Sequence, residues 1–530
     1  MSTAALSGAK RRLHPGAILA AVCVACVLLP ISLTGASVAL PAIGVGLHGG
    51  LAAVQWVVNG YDLTFAGVML AAGSLSDRVG RKRMFAGGLT LFGIAALVSA
   101  FAPNILILDI VRAIAGIGAA GVLTSGAAIL ATAFEGAARA KAFAMLGTSF
   151  GLGIAFGPAI SGVEIAALGW RGVFVSHAIL AAVLVLTALR FVPESRNPEP
   201  GKFDWPGNIT FTLSLSLFIL VLIEGPQWGW GSPATIGSLI AFAVLLVAFP
   251  IVERRSKSPM FDVSLLVNPR FAAISLVPVA LAFGFTAVLM LLPSYFSSVD
   301  GAGAGASGLL LLLMTVPTLA LPMVGGWLTK HTSNRVILVV SLLLTTAGAA
   351  WLTVIQPGSW VLALAAPLIL IGAGFGLSLG ILDGAAVSTV ETERAGMAAG
   401  MFNTMRLSSE VVAIAAMGAL VVTLTQSQLA NGIARFTGVF PGGADALANS
   451  AASGELGGVV SKVPAGATRS AFETFAAGGY TSAMHTVLWV LAGICLVSAG
   501  VVGALLKTRK AEEIKTEDAP VEVAEVVEVG

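Results

Sequence analysis

The chain alternates long apolar runs with short polar or Gly/Pro-rich breaks. The runs fall at roughly 17–42, 52–74, 84–101, 105–129, 141–166, 173–192, 207–223, 234–252, 271–292, 306–328, 336–354, 359–382, 397–424 and 484–506. Each is close to the roughly 20 residues with which an α-helix crosses about 30 Å of hydrocarbon. The pattern predicts an all-α membrane protein with about 14 transmembrane helices.

Composition supports lipid as the main solvent of the surface. Of the 530 residues, 57% are hydrophobic and only 10% are charged. A soluble protein of this length would need about 25% charged residues to coat its surface. The cysteines Cys23, Cys26 and Cys495 lie inside apolar runs, which indicates small buried residues rather than disulfides or metal ligands.

Basic residues predict the orientation of the chain. With the N-terminus in the cytoplasm, the inner segments carry the following basic residues: Lys10, Arg11, Arg12, Arg78, Arg81, Lys82, Arg83, Arg139, Lys141, Arg190, Arg196, Lys202, Arg254, Arg255, Lys257, Arg270, Lys330, Arg335, Arg394, Lys507, Arg509, Lys510 and Lys515. The outer segments carry only Arg171, Arg435, Lys462 and Arg469. Because basic residues favour the cytoplasmic side, we expect a cell-membrane protein with both termini inside.

Three segments lie outside the predicted spans or at their margin. The first run has no convincing small-residue cleavage site after it, so we interpret it as an uncleaved helix rather than a signal peptide. About 60 residues, 425–483, form a predicted extracytoplasmic loop to which the sequence assigns no role. The acidic tail 507–530 is predicted to be disordered.

The loop after the second span has a specific pattern. It runs from Gly73 to Arg83 and contains Asp77, Arg78, Gly80, Arg81 and Lys82. Glycines permit a tight turn and close helix approach, and the basic cluster fixes orientation. An ordinary charged turn would explain the basic residues but not the whole spacing. The loop resembles the signature loop of the major facilitator superfamily at nearly every position, and a degenerate counterpart at 325–331 follows the tenth span, as internal duplication predicts.

Two spans extend the resemblance. In the fourth, Arg112 followed by small residues is similar to the buried-arginine motif of that family, although Ala115 replaces the usual glutamine. In the fifth, a glycine-rich series resembles the antiporter motif of exporters; it comprises Gly147, Gly151, Gly153, Gly157, Pro158 and Gly162. Small residues let helices cross closely, and Gly-Pro makes a bendable point. The alternative is generic packing glycine.

Further residues resemble the 14-span drug/proton antiporters of this superfamily: Trp170, Arg171, Asp204, Gly207, Trp228, Gly229 and Trp230. The resemblance implies two six-helix bundles with two extra helices between them. It divides the chain into a cytoplasmic N-terminus (1–16), a first bundle (17–192), linker helices (193–270), a second bundle (271–506) and the tail. It also implies proton-driven export of small amphipathic or hydrophobic molecules by alternating access.

Ionisable side chains inside spans are candidates for proton coupling, because burying them in a membrane is costly. Ser32 stands where the family's first span normally has an aspartate, so that carboxylate cannot act here. The remaining candidates are Asp62, Asp109 with Arg112 on the same helix face, and Glu410. The resemblance implies that the second helix packs near the penultimate one, which would bring Asp62 and Glu410 to the seam between bundles.

Each candidate has a structural alternative. Asp109 and Arg112 could form a static ion pair, Glu410 could merely neutralise Arg406, and Asp62 could sit in a water-filled outer vestibule. Asp383 and His177 lie near span ends, so we expect both at the membrane interface.

No motif indicates an enzyme, a metal site or a cofactor, and the absence of a GxxxxGK[ST] loop argues against ATP drive. The expected partners are a small-molecule substrate, protons and the lipid bilayer, without nucleic acid, and we expect a monomer. Two alternatives stay open: a dedicated exporter of one metabolite, siderophore, amino acid or self-made antibiotic, and a transporter-like sensor or scaffold without flux.

Overall fold

The chain folds into long helices that account for all fourteen predicted spans. The computed structural model describes residues 15–196, 204–256, 261, 263–359, 361–390 and 395–506. The helices are α1 (Pro15–Leu47), α2 (Leu51–Val79), α3 (Arg81–Ala100), α4 (Ile105–Ala133), α5 (Gly136–Leu168), α6 (Trp170–Phe191), α7 (Trp205–Trp228), α8 (Pro233–Arg255), α9 (Pro269–Asp300), α10 (Ala304–Leu328), α11 (Asn334–Trp351), α12 (Val361–Leu379), α13 (Ala395–Ala430) and α14 (Ala467–Leu505). The tail 507–530 and nearly all of the predicted N-terminal segment lie outside the described residues.

Thirteen of these helices are long and apolar enough to cross a membrane, counted over the described residues. The helix that is not among them is α2, which carries Gln55, Asn59 and Asp62 in its first half. Polar side chains lower the mean hydropathy of a helix even when neighbouring helices shield them from lipid. The prediction of an all-α protein with about 14 membrane helices is confirmed.

The helices pack as two groups with a pair between them. In the first group α1 packs on α5, α2 and α3 pack on α4, and α3 packs on α6. In the second group α11 packs on α12 and α14, α10 packs on α12, and α13 packs on α14. The groups meet where α5 contacts α10, α1 contacts α9 and α2 contacts α13. Helices α7 and α8 pack on each other, and α7 also contacts α2 and α13.

Helix α9 contains an irregular turn. Residues Ala282–Ala287 are π-helical, so the chain takes up one residue more than a regular α-helix would over that turn. Phe285 in this turn stacks on Phe375 of α12 with ring centroids 4.0 Å apart. The turn therefore packs against a neighbour on its aromatic side instead of facing lipid.

The predicted loop 425–483 is shorter in the structure and largely helical. Helix α13 continues to Ala430 and α14 begins at Ala467, which leaves residues 431–466 between them. This segment, which we call the cap, contains the short helices Gly443–Ala452 and Leu456–Ser461. The prediction of a loop missed these helices because they are too short and too polar to register as apolar runs. We call the end of the molecule that carries the cap the cap side, and the end that carries Gly73–Arg83 the loop side.

The three cysteines are buried and free, as the sequence predicted. Cys26 and Cys495 are fully shielded, and the Cys495 thiol donates to the carbonyl of Ala280 at 3.4 Å. They serve as small packing residues.

Candidate functional site

Arg112 is the centre of the first bundle's polar interior. Its guanidinium is almost fully buried on α4 and donates from Nε to the carbonyl of Val57 at 2.9 Å. Nη1 donates to Ser32 Oγ at 2.9 Å, and Nη2 to the carbonyl of Ser32 at 3.3 Å. The cation also lies 4.3 Å from the ring centroid of Tyr61. The arginine thus joins α4 to α1 and α2.

Ser32, which replaces the acid found in the family, is therefore a direct hydrogen-bond partner of Arg112. The described side chains do not form the static Asp109–Arg112 ion pair that was the structural alternative. Arg112 bonds instead to Ser32 and Val57. Asp109 Oδ1 is buried without a hydrogen-bond partner in the described part of the chain. Ser32 therefore offers Arg112 a neutral hydroxyl where the resemblance implies a carboxylate.

His177 was expected at the membrane interface, and the structure shows that protein encloses its side chain. Its side chain is 4% exposed, and both ring nitrogens lack a hydrogen-bond partner among the described residues. The preceding turn of α6 brings Phe174 to 5.9 Å from the Arg112 guanidinium. Because α6 turns this face inward, a residue that the sequence places near a helix end belongs to the interior. Asp383, by contrast, is well exposed, as expected.

Asp62 lies at the seam between the two bundles. Its carboxyl is 4% exposed, and Oδ2 has no hydrogen-bond partner within the described ranges. Helix α2, which carries Asp62, contacts α4 of its own bundle and α13 of the other bundle. Asp62 and Glu410 therefore lie on the two helices that meet across the bundles. The predicted helix pairing is confirmed, while the chemical roles of these residues stay predictions.

Arg406, four residues before Glu410 on α13, also contacts a second acid. Arg406 reaches Asp383 at 3.9 Å, and Asn403 Nδ2 donates to the other Asp383 oxygen at 3.5 Å. Arg406 still interacts electrostatically with Glu410. Arg406 therefore has Asp383, an exposed acid, as an ion-pair partner.

A cavity opens beside Asp109 on the cap side. It measures about 540 Å³ and is also lined by Trp56, Glu224 and Gln227. Trp56 Nε1 donates to Glu224 Oε1 at 3.1 Å, which links α2 to the extra helix α7. Sequence reasoning missed Glu224, because its partner is 168 residues away and no local spacing marks the pair.

Helix α7 holds α2 at two further points. Asn208 Nδ2 and Thr212 Oγ1 both donate to the carbonyl of Gly67, each at 3.1 Å. Just beyond the end of α7, Trp230 Nε1 donates to Thr423 Oγ1 of α13 at 3.3 Å. The linker segment therefore contacts both helices of the seam that carries Asp62 and Glu410.

The signature loop is organised by two acids. Asp77 accepts from Arg81 Nη2 at 3.0 Å within the loop. Glu194, just after α6, accepts from the backbone N–H of Lys82 at 3.1 Å and lies 3.7 Å from Arg83 Nε. Gly80 has φ +117°, a value that disfavours any side chain, and a Cβ there would lie 2.6 Å from Glu194 Oε1. The sequence predicted the glycine and Asp77 but missed Glu194.

The glycines of α5 make close contacts with two different helices. A Cβ on Gly153 would lie 2.4 Å from the carbonyl oxygen of Val27 in α1, and one on Gly157 would overlap Thr34. Across the interface, a Cβ on Gly162 of α5 would lie 2.7 Å from the carbonyl oxygen of Ala304 in α10. In the other direction, a Cβ on Gly308 of α10 would overlap the carbonyl oxygen of Pro158 in α5. The series therefore packs α5 against α1 within its bundle and against α10 across the interface.

The family assignment rests on the sequence profile of the Major Facilitator Superfamily, which matches residues 20–414. That match spans the signature loop, Arg112, the α5 glycines and Glu410. The chain belongs to the major facilitator superfamily. It is a multi-pass membrane transporter, and the predicted resemblance is confirmed.

Several relatives of this facilitator chain are drug-resistance or drug-efflux proteins by name. Multidrug resistance protein Stp of Mycobacterium tuberculosis is 29% identical over 394 residues, which cover 74% of this chain and 73% of that protein. Drug efflux pump JefA of the same organism is 30% identical over 401 residues, covering 75% and 78%. Methylenomycin A resistance protein of Streptomyces coelicolor is 30% identical over 422 residues, covering 78% and 87%.

Solved structures agree on the facilitator fold. A bacterial homolog to the human lysosomal transporter Spinster superposes with a TM-score of 0.63 at 14% identity, covering 92% of this chain and 96% of that one. The nucleoside transporter NupG gives 0.56 at 14% identity, covering 93% and 100%. At this identity the likeness concerns the fold alone.

Proposed function

We propose that this transporter exports small amphipathic or hydrophobic molecules in exchange for protons. The observation that carries the proposal is the pair of acids at the seam, the buried Asp62 on α2 and Glu410 on α13, two helices that contact one another across the bundles. Helices of opposite bundles that separate and rejoin change the burial of both carboxyls. Since a buried acid holds its proton and a hydrated one releases it, proton binding can be coupled to that movement.

The polar surroundings of Asp62 support this role. Its Oδ2, which has no hydrogen-bond partner among the residues that the structure describes, is buried at a cost that a purely structural carboxyl would avoid by pairing. Arg112 lies within electrostatic reach and has no acid on α1 to neutralise it. We infer that Asp62 is the main proton carrier, that Asp109, Arg112 and Glu410 modulate it, and that the glycines of α5 allow the bundles to move.

The proposed setting is the cell membrane with the loop side in the cytoplasm. The Arg78–Arg83 cluster on the loop side supports this orientation. A multidrug resistance protein and a multidrug transporter among the relatives support a broad substrate range that includes drugs, dyes and antibiotics.

Substitution of Asp62 tests the proposal. We expect Asp62→Asn to abolish ethidium export driven by an imposed pH difference in proteoliposomes, because an amide cannot release a proton. The variant should still reach the membrane in normal amount. Ethidium movement and proton movement are measured together.

The matched control is Glu473→Gln, an exposed acid on the cap side of α14. It should transport like the unsubstituted protein. Gradient-driven export by Asp62→Asn at the control rate would overturn the assignment of Asp62. If the unsubstituted protein moved neither solute nor protons with any probe of a drug panel, the exporter proposal itself would fail.

A second candidate is a dedicated exporter of one compound. It is favoured by relatives named for single antibiotics, such as the methylenomycin A resistance protein and a probable actinorhodin transporter of Streptomyces coelicolor. A susceptibility panel on a deletion strain separates the two. Hypersensitivity to one chemical family supports the dedicated exporter, and hypersensitivity to unrelated cations and dyes supports the broad one.

A further inference from the structure

The cap is attached to the second bundle. It is inserted between α13 and α14, and its helix Gly443–Ala452 packs on both. Two serines of α9 add hydrogen bonds: Ser297 Oγ donates to the carbonyl of Gly454 at 3.0 Å, and Ser298 Oγ to the carbonyl of Ala451 at 2.6 Å. Covalent linkage and these bonds make the cap move with the second bundle.

The cap has an apolar core of its own. Phe472, at the start of α14, is fully buried and lies 5.3 Å from Phe436 and 5.7 Å from Phe440 between ring centroids. Arg469 Nε donates to the carbonyl of Val463 at 2.6 Å, which ties the end of the cap to α14. A segment with its own core and end contacts behaves as a folded unit rather than a loose loop.

The same segment also rests on the first bundle, at the end of α1. A Cβ on Gly454 would lie 2.7 Å from Pro41, and one on Gly44 would lie 2.6 Å from Glu455 Oε1. Glu455 Oε1 is buried without a hydrogen-bond partner, and no hydrogen bond joins the cap to α1 in the part of the chain that the structure describes. The cap therefore bonds to one bundle and merely packs on the other.

We propose that the cap is a gate on the cap side, carried by the second bundle, and that it opens by lifting Gly454 and Glu455 off the Pro41–Gly44 end of α1. The inference rests on the proposed alternating-access function. When the bundles separate on this side, a unit fixed to one must leave the other. The weaker contact, on α1, is the one that breaks.

Glu455 makes the seated gate sensitive to pH on the cap side. Burial raises the pKa of Glu455, while His48, the residue just after α1, and Lys462 of the cap act in the opposite direction and offset part of that rise. The seated state thus binds the proton more tightly than the lifted one. Seating is favoured at low pH and weakens as pH rises through the raised pKa.

Reversible cross-linking tests the gate. In a chain whose three cysteines are replaced by alanine, Gly44→Cys and Glu455→Cys are joined by a bis-maleimide with a cleavable disulfide. The second substitution removes the carboxyl that a side chain at position 44 would meet. We expect ethidium export in proteoliposomes to stop on cross-linking and to return after reduction.

The control pair is Ser461→Cys with Arg469→Cys, which joins the cap to α14 of its own bundle at positions that solvent reaches. Export should continue when this pair is cross-linked. Full export through the cross-linked 44–455 pair would overturn the gate, and a block by both pairs would overturn its attachment to the second bundle. If the cysteine-free chain without either introduced pair did not export ethidium, that result would instead count against the exporter proposal.

A second variant carries the test if the cysteine pair itself is inactive. Glu455→Gln mimics the protonated acid. Its export should therefore be slower than that of the unsubstituted protein at neutral pH on the cap side, and the two export rates should be equal at acidic pH. Glu473→Gln serves as the control on the same face. Parallel pH profiles for Glu455→Gln and the parent would overturn the role of Glu455.

Discussion

At the scale of single residues, the first bundle is arranged around one buried cation with a neutral partner. Ser32 supplies the only side-chain hydrogen bond that the described structure gives to Arg112. A hydrogen bond to a charged group is worth about 1.5–3 kcal/mol, roughly twice a bond between neutral groups. Stability of this centre should therefore depend on a serine hydroxyl.

We expect Ser32→Ala to lower the free energy of unfolding by about 1.5–3 kcal/mol, because Arg112 would lose a buried acceptor. Thermal unfolding of the purified protein in detergent measures the change. Ser37→Ala is the control, since Ser37 is equally buried on α1 but donates only to the nearby Thr34 carbonyl at 2.6 Å. Equal losses in both variants would contradict the special role of Ser32.

Sequence reasoning found the residues whose partners are local or that stand out in an apolar run. Asp62 and Arg112 are conspicuous because charge is rare inside spans. Glu194 and Glu224 were missed because they follow or end a helix and act on residues 112 and 168 positions away. The burial of His177 was not predicted, because distance from a helix end does not show which face of α6 turns inward.

At the scale of elements, hydrophobic length predicted the helices, and packing set their true extent. Helix α14 begins at Ala467, well before the apolar run from 484, because its first turns bury Phe472 against the cap. The period and the length of an apolar run cannot show where α14 begins, because the surface on which its first turns pack is built by the cap. The short cap helices escaped detection for the same reason.

Helix α5 offers a direct test of close packing. We expect Gly153→Ala to destabilise the protein by about 1–3 kcal/mol, because the new methyl would meet a backbone carbonyl of α1 at 2.4 Å. Gly147→Ala, in the same helix but with open space around it, should be neutral. Thermal unfolding of the two variants in detergent measures the difference in stability. Similar melting curves would show that the α1–α5 contact can relax.

At the scale of the whole molecule, the resemblance gave the two bundles and the extra pair, but not how the pair is used. Helix α7 binds α2 through Gly67 and Trp56, and the segment after it reaches α13. Helix α7 and the turn after it thus support the seam of the transporter, and α8 packs on α7. Only a folded chain shows this, since the contacts join residues more than 140 positions apart.

Orientation in the membrane can be tested by thiol labelling in a chain that keeps its three buried cysteines. Glu473→Cys on the cap side should react with a membrane-impermeant maleimide in intact cells. Arg83→Cys on the loop side should react only after permeabilisation, because basic residues favour the cytoplasm. Both positions are exposed, and the Arg83–Glu194 pair is an exposed one whose loss costs little. The reverse labelling pattern would invert the proposed topology.

The π-helical turn of α9 affects how residue numbers can be compared between transporters. Its one surplus residue rotates everything after Ala287 by about 100° relative to an uninterrupted α-helix. An equivalence drawn by counting along α9 from a relative with a regular helix would therefore point Tyr295, Ser297 and Ser298 in the wrong directions. Homology-guided mutagenesis of the cap contacts has to restart its register after this turn.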